Sequence, residues 1–583
     1  MKPVGAYRLA ISFPNGMARL RLLKRFFLRK TLQIAARPRL VWVFGVGLCF
    51  GMDGAIAAGP LDPGQLPMGA QVTAGNVTLS RTNATLDVLQ SSARASIQWD
   101  SFNVGSQAQV NFIQPSASAA VLNRVVGADP SQIAGRITSN GQVYLLNPNG
   151  VYFTKDASVD TAGLVVTTHA LSDSDFMAGR NKFTRQGATG KVVNEGRLTA
   201  SLGGYVALLA PEVRNQGVVL AQMGTVALAS GEVIELQFDS QSKLAGITAT
   251  PSQIQALVDN QSAVLAPGGL IVLSAKALDR LQGGVIKNTG VLEASGLVSS
   301  GGRILLEASD QIAQSGTIRA DAATGSAGHG GTITLMTDLS NTQGQTRVSG
   351  LLSAQAGTAG GDGGQIETSA AHVSIAPDTV IDTASAKGKN GSWLIDPVGF
   401  TIAKTGGDLD EATLNAALAR GDVVISTSTA LSGNGVIVVN GTADTGGAVS
   451  IVNTSGAQRT FALYTDGSIQ LHAGSQIAGS SGSPLNVTLY APAGNTLAGT
   501  INNAGGVTTL TGPTAFSGVL RNGTLTTSST VTSNWGTLDG VTLGGSSLSL
   551  NGSLWIQNGM KLANGATVST DAGEWRFGDQ GTP

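Results

Sequence analysis

VVNEGRLTASLGGYVALLAPEVRNQGVVLAQ, residues 192–222, holds two copies of one pattern: asparagine, any residue, glycine, then alternating apolar positions ending in a small residue. The copies are VVNEGRLTAS from Val192 and VRNQGVVLAQ from Val213, and between them a glycine pair opens GGYVALLAPEV from Gly203. Alternation of apolar and polar residues is the period of a strand, while asparagine and glycine supply the turns. IKNTGVLEAS from Ile286 repeats the first pattern, with looser copies in QSGTIRAD from Gln314 and RVSGLLSAQ from Arg347. The second pattern returns as GTVALASGEVIEL from Gly224, GGLIVLSAKAL from Gly268, GGRILLEASDQI from Gly301, GGTITLMTDLS from Gly330 and GGQIETSAAHVSI from Gly363.

Copies at intervals of roughly 20 to 25 residues fall in the window of solenoid repeats. One unit has too little apolar surface to close a core; stacked units bury a continuous column of Val, Ile and Leu, with rungs about 4.8 Å apart. The expected fold is all-β, a right-handed parallel β-helix (β-solenoid) with short extra-helical hairpins; an array of open antiparallel sandwiches is the competing architecture. Asparagine before a turn glycine tolerates the left-handed region and stacks into ladders, so these asparagines are read as structural. Composition agrees. The 583 residues include 79 Gly, about twice the usual share of roughly 7%. With 42% hydrophobic residues the chain is not disordered, and with 12% charged residues it is no helical bundle.

Residues 1–39 carry ten Lys or Arg and no acid, and the apolar run LVWVFGVGLCFGM, Leu40 to Met52, follows. The run is short for a bilayer span and leads to Ala55-Ile56-Ala57, a small-x-small cleavage signature. Residues 1–57 are therefore read as a signal peptide, long unless translation starts at Met17, cut after Ala57 or Ala58. Its loss would leave 26 basic against 35 acidic residues, a net −9, which argues against a nucleic-acid partner. Cys49, the single cysteine, would leave with it.

The stretch RITSNGQVYLLNPNGVYF, Arg136 to Phe153, sets an alternating strand before Asn147-Pro148-Asn149-Gly150. Asn, Pro, Asn and Gly in that order suit the four positions of a type I turn. With QWDSFNVG from Gln98, VNFIQPSASAAVLNRV from Val110, DTAGLVVTTHALSDSDFMAG from Asp160 and GGYVALLAPEVRNQG from Gly203, this stretch resembles the secretion domain of two-partner secretion exoproteins of the filamentous haemagglutinin type. The resemblance implies that Asn147, Pro148, Asn149 and Gly150 form a secretion motif read by a dedicated outer-membrane β-barrel transporter. It places a second motif asparagine at Asn123, within QPSASAAVLN. It further implies passage through the general secretory machinery, threading through the partner, and folding outside the cell as a secreted or surface-associated protein, with adhesion as its role. A haemolysin or haem-acquisition role would use the same domain.

The domains expected are the signal at 1–57, the secretion domain at 58–300, β-helix with glycine-rich loops at 301–390, a junction at 391–425 and further solenoid at 426–583. The ending is read as uncapped, as in a truncated frame or a short member of the group. The junction holds the best helix of the chain, LDEATLNAALARG, with Asp408 or Asp410 as its cap and Gly421 beyond its end. His169, His329, His372 and His472 stand singly and read as turn or surface residues. Asp173 and Asp175 come without the glycine-rich nonapeptide of a calcium site. No catalytic constellation, metal site or cofactor is expected. The rival is a periplasmic β-helix enzyme acting on polysaccharides, whose converging carboxylates the sparse Glu232, Glu235, Glu307 and Asp310 do not supply.

Overall fold

A computed structural model describes residues 61–278, 283–296, 301–427, 435–545, 547–571 and 573–578. The expected cleavage site at Ala57 and Ala58, and the signal before it, lie outside the described residues.

Each turn of the fold lays down three strands, and each strand pairs in parallel with its equivalent one turn later. Gly284–Asn288, Val291–Glu293 and Arg303–Ala308 make one turn. Gln311–Gln314, Thr317–Arg319 and Thr332–Thr337 make the next, with each strand in register with its predecessor. Chirality makes such parallel crossovers right-handed, and the chain is a right-handed parallel β-helix. The parallel ladders exclude the antiparallel array. Val206, Val226, Ile271, Ile304, Ile333, Ile366, Trp393 and Val423 occupy one register position on successive turns. All eight are buried and form part of one core. The column continues through Phe461, Val487, Thr508, Leu525 and Leu543, so the loosened repeats after Gly421 are further solenoid turns.

Among the described residues antiparallel ladders occur in two places. Near the start, Val77–Thr82 pairs with Thr85–Gln90 and Gln71–Ala74 with Arg94–Trp99. Outside the helix, Val233–Phe238 pairs with both Lys182–Thr184 and Leu244–Ala249. The sequence reads GEVIEL as part of the repeat, but after Gly231 the chain leaves the helix and doubles back as a hairpin. Its apolar side chains, Ile234 and Leu236, join Phe176 and Phe183 over Leu122, Tyr144, Val165 and Leu209 in a second buried cluster. At those turns the sheet is covered on both faces.

Among the described residues two short α-helices complete the fold. Helix α1, Asp173–Met177, is capped by Ser172, whose hydroxyl accepts from the Asp175 N–H. Helix α2, Glu411–Leu418, is capped by Asp410, which accepts from the N–H groups of Ala412 and Thr413. Of the two expected caps, Asp410 does the capping; Asp408 instead accepts from the Thr401 N–H at 2.8 Å.

The asparagines before the turns stack as expected. Asn194 Nδ2 donates to Asn215 Oδ1 at 2.8 Å, Asn215 to Asn260 at 2.8 Å, Asn260 to Asn288 at 2.7 Å, and Asn288 to Gln314 Oε1 at 2.7 Å. All five amides are buried. A buried amide needs partners for every polar atom, and the adjacent turn provides them. Glycines stack as well. A Cβ on Gly302 would overlap the carbonyl of Gly269, one on Gly331 that of Gly302, and one on Gly364 that of Gly331.

Candidate functional site

Asn147-Pro148-Asn149-Gly150 joins the strands Gln142–Leu146 and Val151–Phe153. The Gly150 N–H donates to the Asn147 carbonyl at 3.1 Å, closing the four-residue turn read from the sequence. Gly150 has φ 120°, which a side chain would resist. Asn147 is fully buried and saturated. Its Nδ2 donates to the Asp129 carbonyl and to Ser131 Oγ, both at 3.0 Å, and its Oδ1 accepts from the Asn149 N–H at 3.0 Å. Asn149 is exposed and donates Nδ2 to the Gly127 carbonyl at 2.9 Å. The outward side chains of this corner are thus Pro148, Asn149, Tyr152 and Val126. The next turn presses on it from the other side: a Cβ on Gly190 would overlap the Pro148 carbonyl and the Asn149–Gly150 peptide.

Asn123 stands apart from this corner. It lies on the strand Ala120–Val125, wholly buried, where Oδ1 accepts from Trp99 Nε1 at 3.0 Å and Nδ2 donates to the Tyr144 carbonyl at 3.3 Å. Trp99 packs edge-on against Phe102 with centroids 5.4 Å apart. Asn123 therefore holds the tryptophan of QWDSF in the core. Gln114, at the head of the same sequence stretch, clips the turn above it, accepting from Ser139 Oγ at 2.6 Å and donating to Gln90 Oε1 at 2.9 Å.

His169 lies in the bend that follows the strand Ser158–Thr167, but it is not a surface residue. It is completely buried, with Nε2 2.8 Å from the Gly231 carbonyl, where the outer hairpin departs. Burial pushes its pKa below the ordinary 6.5, opposed by the bond to Gly231, so the ring is neutral and Nε2 donates. A single histidine has no spacing to reveal this; only the packing does. Asp173 and Asp175 are likewise committed. Asp173 takes bonds from Arg124 at 2.7 Å, Thr73 at 2.8 Å and Ser96 at 2.9 Å, and Asp175 pairs with Arg180 at 2.7 Å. Among the described residues no group of three or more His, Cys, Asp and Glu is placed to hold a metal.

Residues 64–320 match the family model of the TPS secretion domain. The chain carries a two-partner secretion domain. Such domains belong to secreted exoproteins with a partner transporter in the outer membrane. Two curated relatives, both named heme/hemopexin-binding protein and both from Haemophilus influenzae, are 32% identical over 252 and 256 residues. These alignments cover 42% and 40% of this chain and 27% of each relative, so the match spans about a quarter of the relatives' length. Two solved structures are also similar. The HMW1 secretion domain from Haemophilus influenzae has a TM-score of 0.45 at 20% identity, covering 88% of this chain and 100% of that one. The filamentous hemagglutinin secretion domain has a TM-score of 0.28 at 16% identity, covering 56% of this chain and 96% of that one. The asparagine ladder, the outer hairpin and the Asn147 corner all lie inside the matched secretion domain. The last ladder amide, Gln314, faces Val348 on the following turn, an apolar side chain with nothing to continue the ladder.

Proposed function

We propose that this chain is delivered to the cell exterior by a dedicated outer-membrane β-barrel transporter that reads its secretion domain, and that the β-helix beyond it is a non-catalytic interaction surface of the adhesin type. The family match over residues 64–320 carries the export reading. The general secretory machinery takes the chain across the inner membrane. Extended segments then add to sheet edges of the partner through main-chain hydrogen bonds, and folding outside draws the equilibrium outward. The Asn147-Pro148-Asn149-Gly150 turn, which its four residues favour locally, is what the partner meets before the β-helix forms.

A second reading, capture of haem or a haem-carrying protein, is favoured by the names of the two Haemophilus influenzae relatives. Both readings share one first experiment: expression in a Gram-negative host with and without the neighbouring transporter gene, assaying the medium. Transporter-dependent protein starting near Ala58 is expected. Periplasmic retention despite the transporter would overturn export and favour the polysaccharide-active β-helix. Binding of the released protein to host-cell surfaces, or to haemopexin, then separates the two roles.

The motif has its own test. Asn149→Ala, which removes an exposed amide, is expected to reduce release at least tenfold with unchanged urea midpoint of the purified protein. Asn147→Ala is expected to reduce both. Normal release of Asn149→Ala would leave the turn a purely architectural feature.

A further inference from the structure

The outer hairpin does not close completely on the sheet beneath it. Between them lies a cavity of about 170 Å³ lined by Arg94, Gln142, Tyr144, Asn181, Phe238 and Ser242, room for several waters or one small organic molecule. Its lining combines polar groups with the aromatic rings of Tyr144 and Phe238. The Tyr144 hydroxyl donates to Asn181 Oδ1 at 3.1 Å and lies 3.2 Å from the Tyr205 hydroxyl, which donates to Gln142 Oε1 at 2.9 Å. Burial raises the pKa of both tyrosines, so these hydroxyls stay neutral. Phe238 meets Tyr205 edge-on, with centroids 5.3 Å apart, and supplies the apolar wall.

Arg94 gives the cavity its charge. Its NH1 donates to the Phe176 carbonyl at 3.0 Å, and its guanidinium sits 5.1 Å over the Phe176 ring, which fixes it in place. Among the described residues it forms no ion pair, and no carboxylate lines the cavity. Asp173, on the helix beside it, is occupied by Arg124, Ser96 and Thr73. A held, uncompensated guanidinium in a partly desolvated wall favours an anion through charge-assisted hydrogen bonds. The amides and hydroxyls around it can exchange bonds with hydroxyl groups, and the phenyl ring suits a carbon skeleton.

We propose that this cavity binds a small hydroxylated carboxylic acid, with its carboxylate on Arg94, its hydroxyls on Gln142, Tyr144 and Asn181, and its carbon frame against Phe238. The site lies within the secretion domain but is independent of the export reading, since purified full-length protein tests it without any transporter.

D-Glucuronate is the probe, titrated into the full chain by calorimetry, with D-glucose and inorganic phosphate as comparators. One site per chain is expected, at least tenfold tighter for glucuronate than for either comparator. Arg94→Gln should weaken it at least tenfold. Because that change also removes a bond to helix α1, Ser118→Trp serves as the second variant: Ser118 is exposed at the cavity and leaves Arg94 untouched. It too should weaken binding at least tenfold, with an unchanged melting temperature. Absence of binding up to about 10 mM, equal affinity for glucose, tighter binding of phosphate, or full affinity in Ser118→Trp would each overturn the proposal.

Discussion

Asp396 ends the strand Ser392–Asp396 with Oδ1 buried and without a hydrogen-bond partner among the described residues. Burial, and then the charge of Glu367 one turn earlier, push its pKa from 3.8 up to about 7. The folded state thus holds a proton that the unfolded chain releases near pH 3.8. Its stabilising effect is complete below that pH and is lost as pH rises through about 7. Asp396→Asn should therefore raise the unfolding free energy read from urea denaturation at pH 8 by on the order of 1–2 kcal/mol given partial solvent access, and leave it unchanged at pH 4. Equal values at pH 8 would remove this charge from the account. At this scale the sequence is uneven. The ladder asparagines could be read because they recur before turn glycines. Asp396, His169 and Asn123 could not, because each acquires its role from a neighbour a whole turn or more away.

Elements were legible where local chemistry decides them. The cap, helix-forming run and closing glycine of Asp410 to Gly421 define α2 before any contact is known, and the turn at Asn147 is written in its four residues. The outer hairpin was not, since Val233–Phe238 alternates just as the helical strands do and only Gly231 marks the departure. Stacking chemistry makes two predictions for the repeated elements. Asn215→Ala removes two ladder links, leaving Asn194 Nδ2 without its acceptor and Asn260 Oδ1 without its donor; a loss of roughly 1–3 kcal/mol is expected by chemical denaturation. Gly331→Ala pushes a methyl into the Gly302 carbonyl, and a loss of about 1–3 kcal/mol or more should follow. Gly246→Ala, whose methyl would come no closer than 3.6 Å to Gln237 Oε1, should stay within about 0.5 kcal/mol.

For the molecule as a whole, the repeat period pointed to a solenoid, because one unit is too small to close a core and stacking buries a continuous apolar column; the parallel ladders then exclude the antiparallel alternative. Stability in such a stack is local. Between Val192 and Gln314 the core is joined by the amide ladder, whereas the final strands Thr567–Ser569 and Trp575–Phe577 are largely exposed. Hydrogen exchange should accordingly be slowest in the former and fastest in the latter; uniform protection would mean that the stack opens as one unit. The ladder also has a polarity. Every link runs from the Nδ2 of the earlier residue to the side-chain oxygen of the later one. A chain that emerges N-terminus first therefore presents, at its growing face, a bare amide donor whose matching acceptor is still to arrive. Each completed layer is a seed for the next, as at the face of a crystal, and growth has a built-in forward direction.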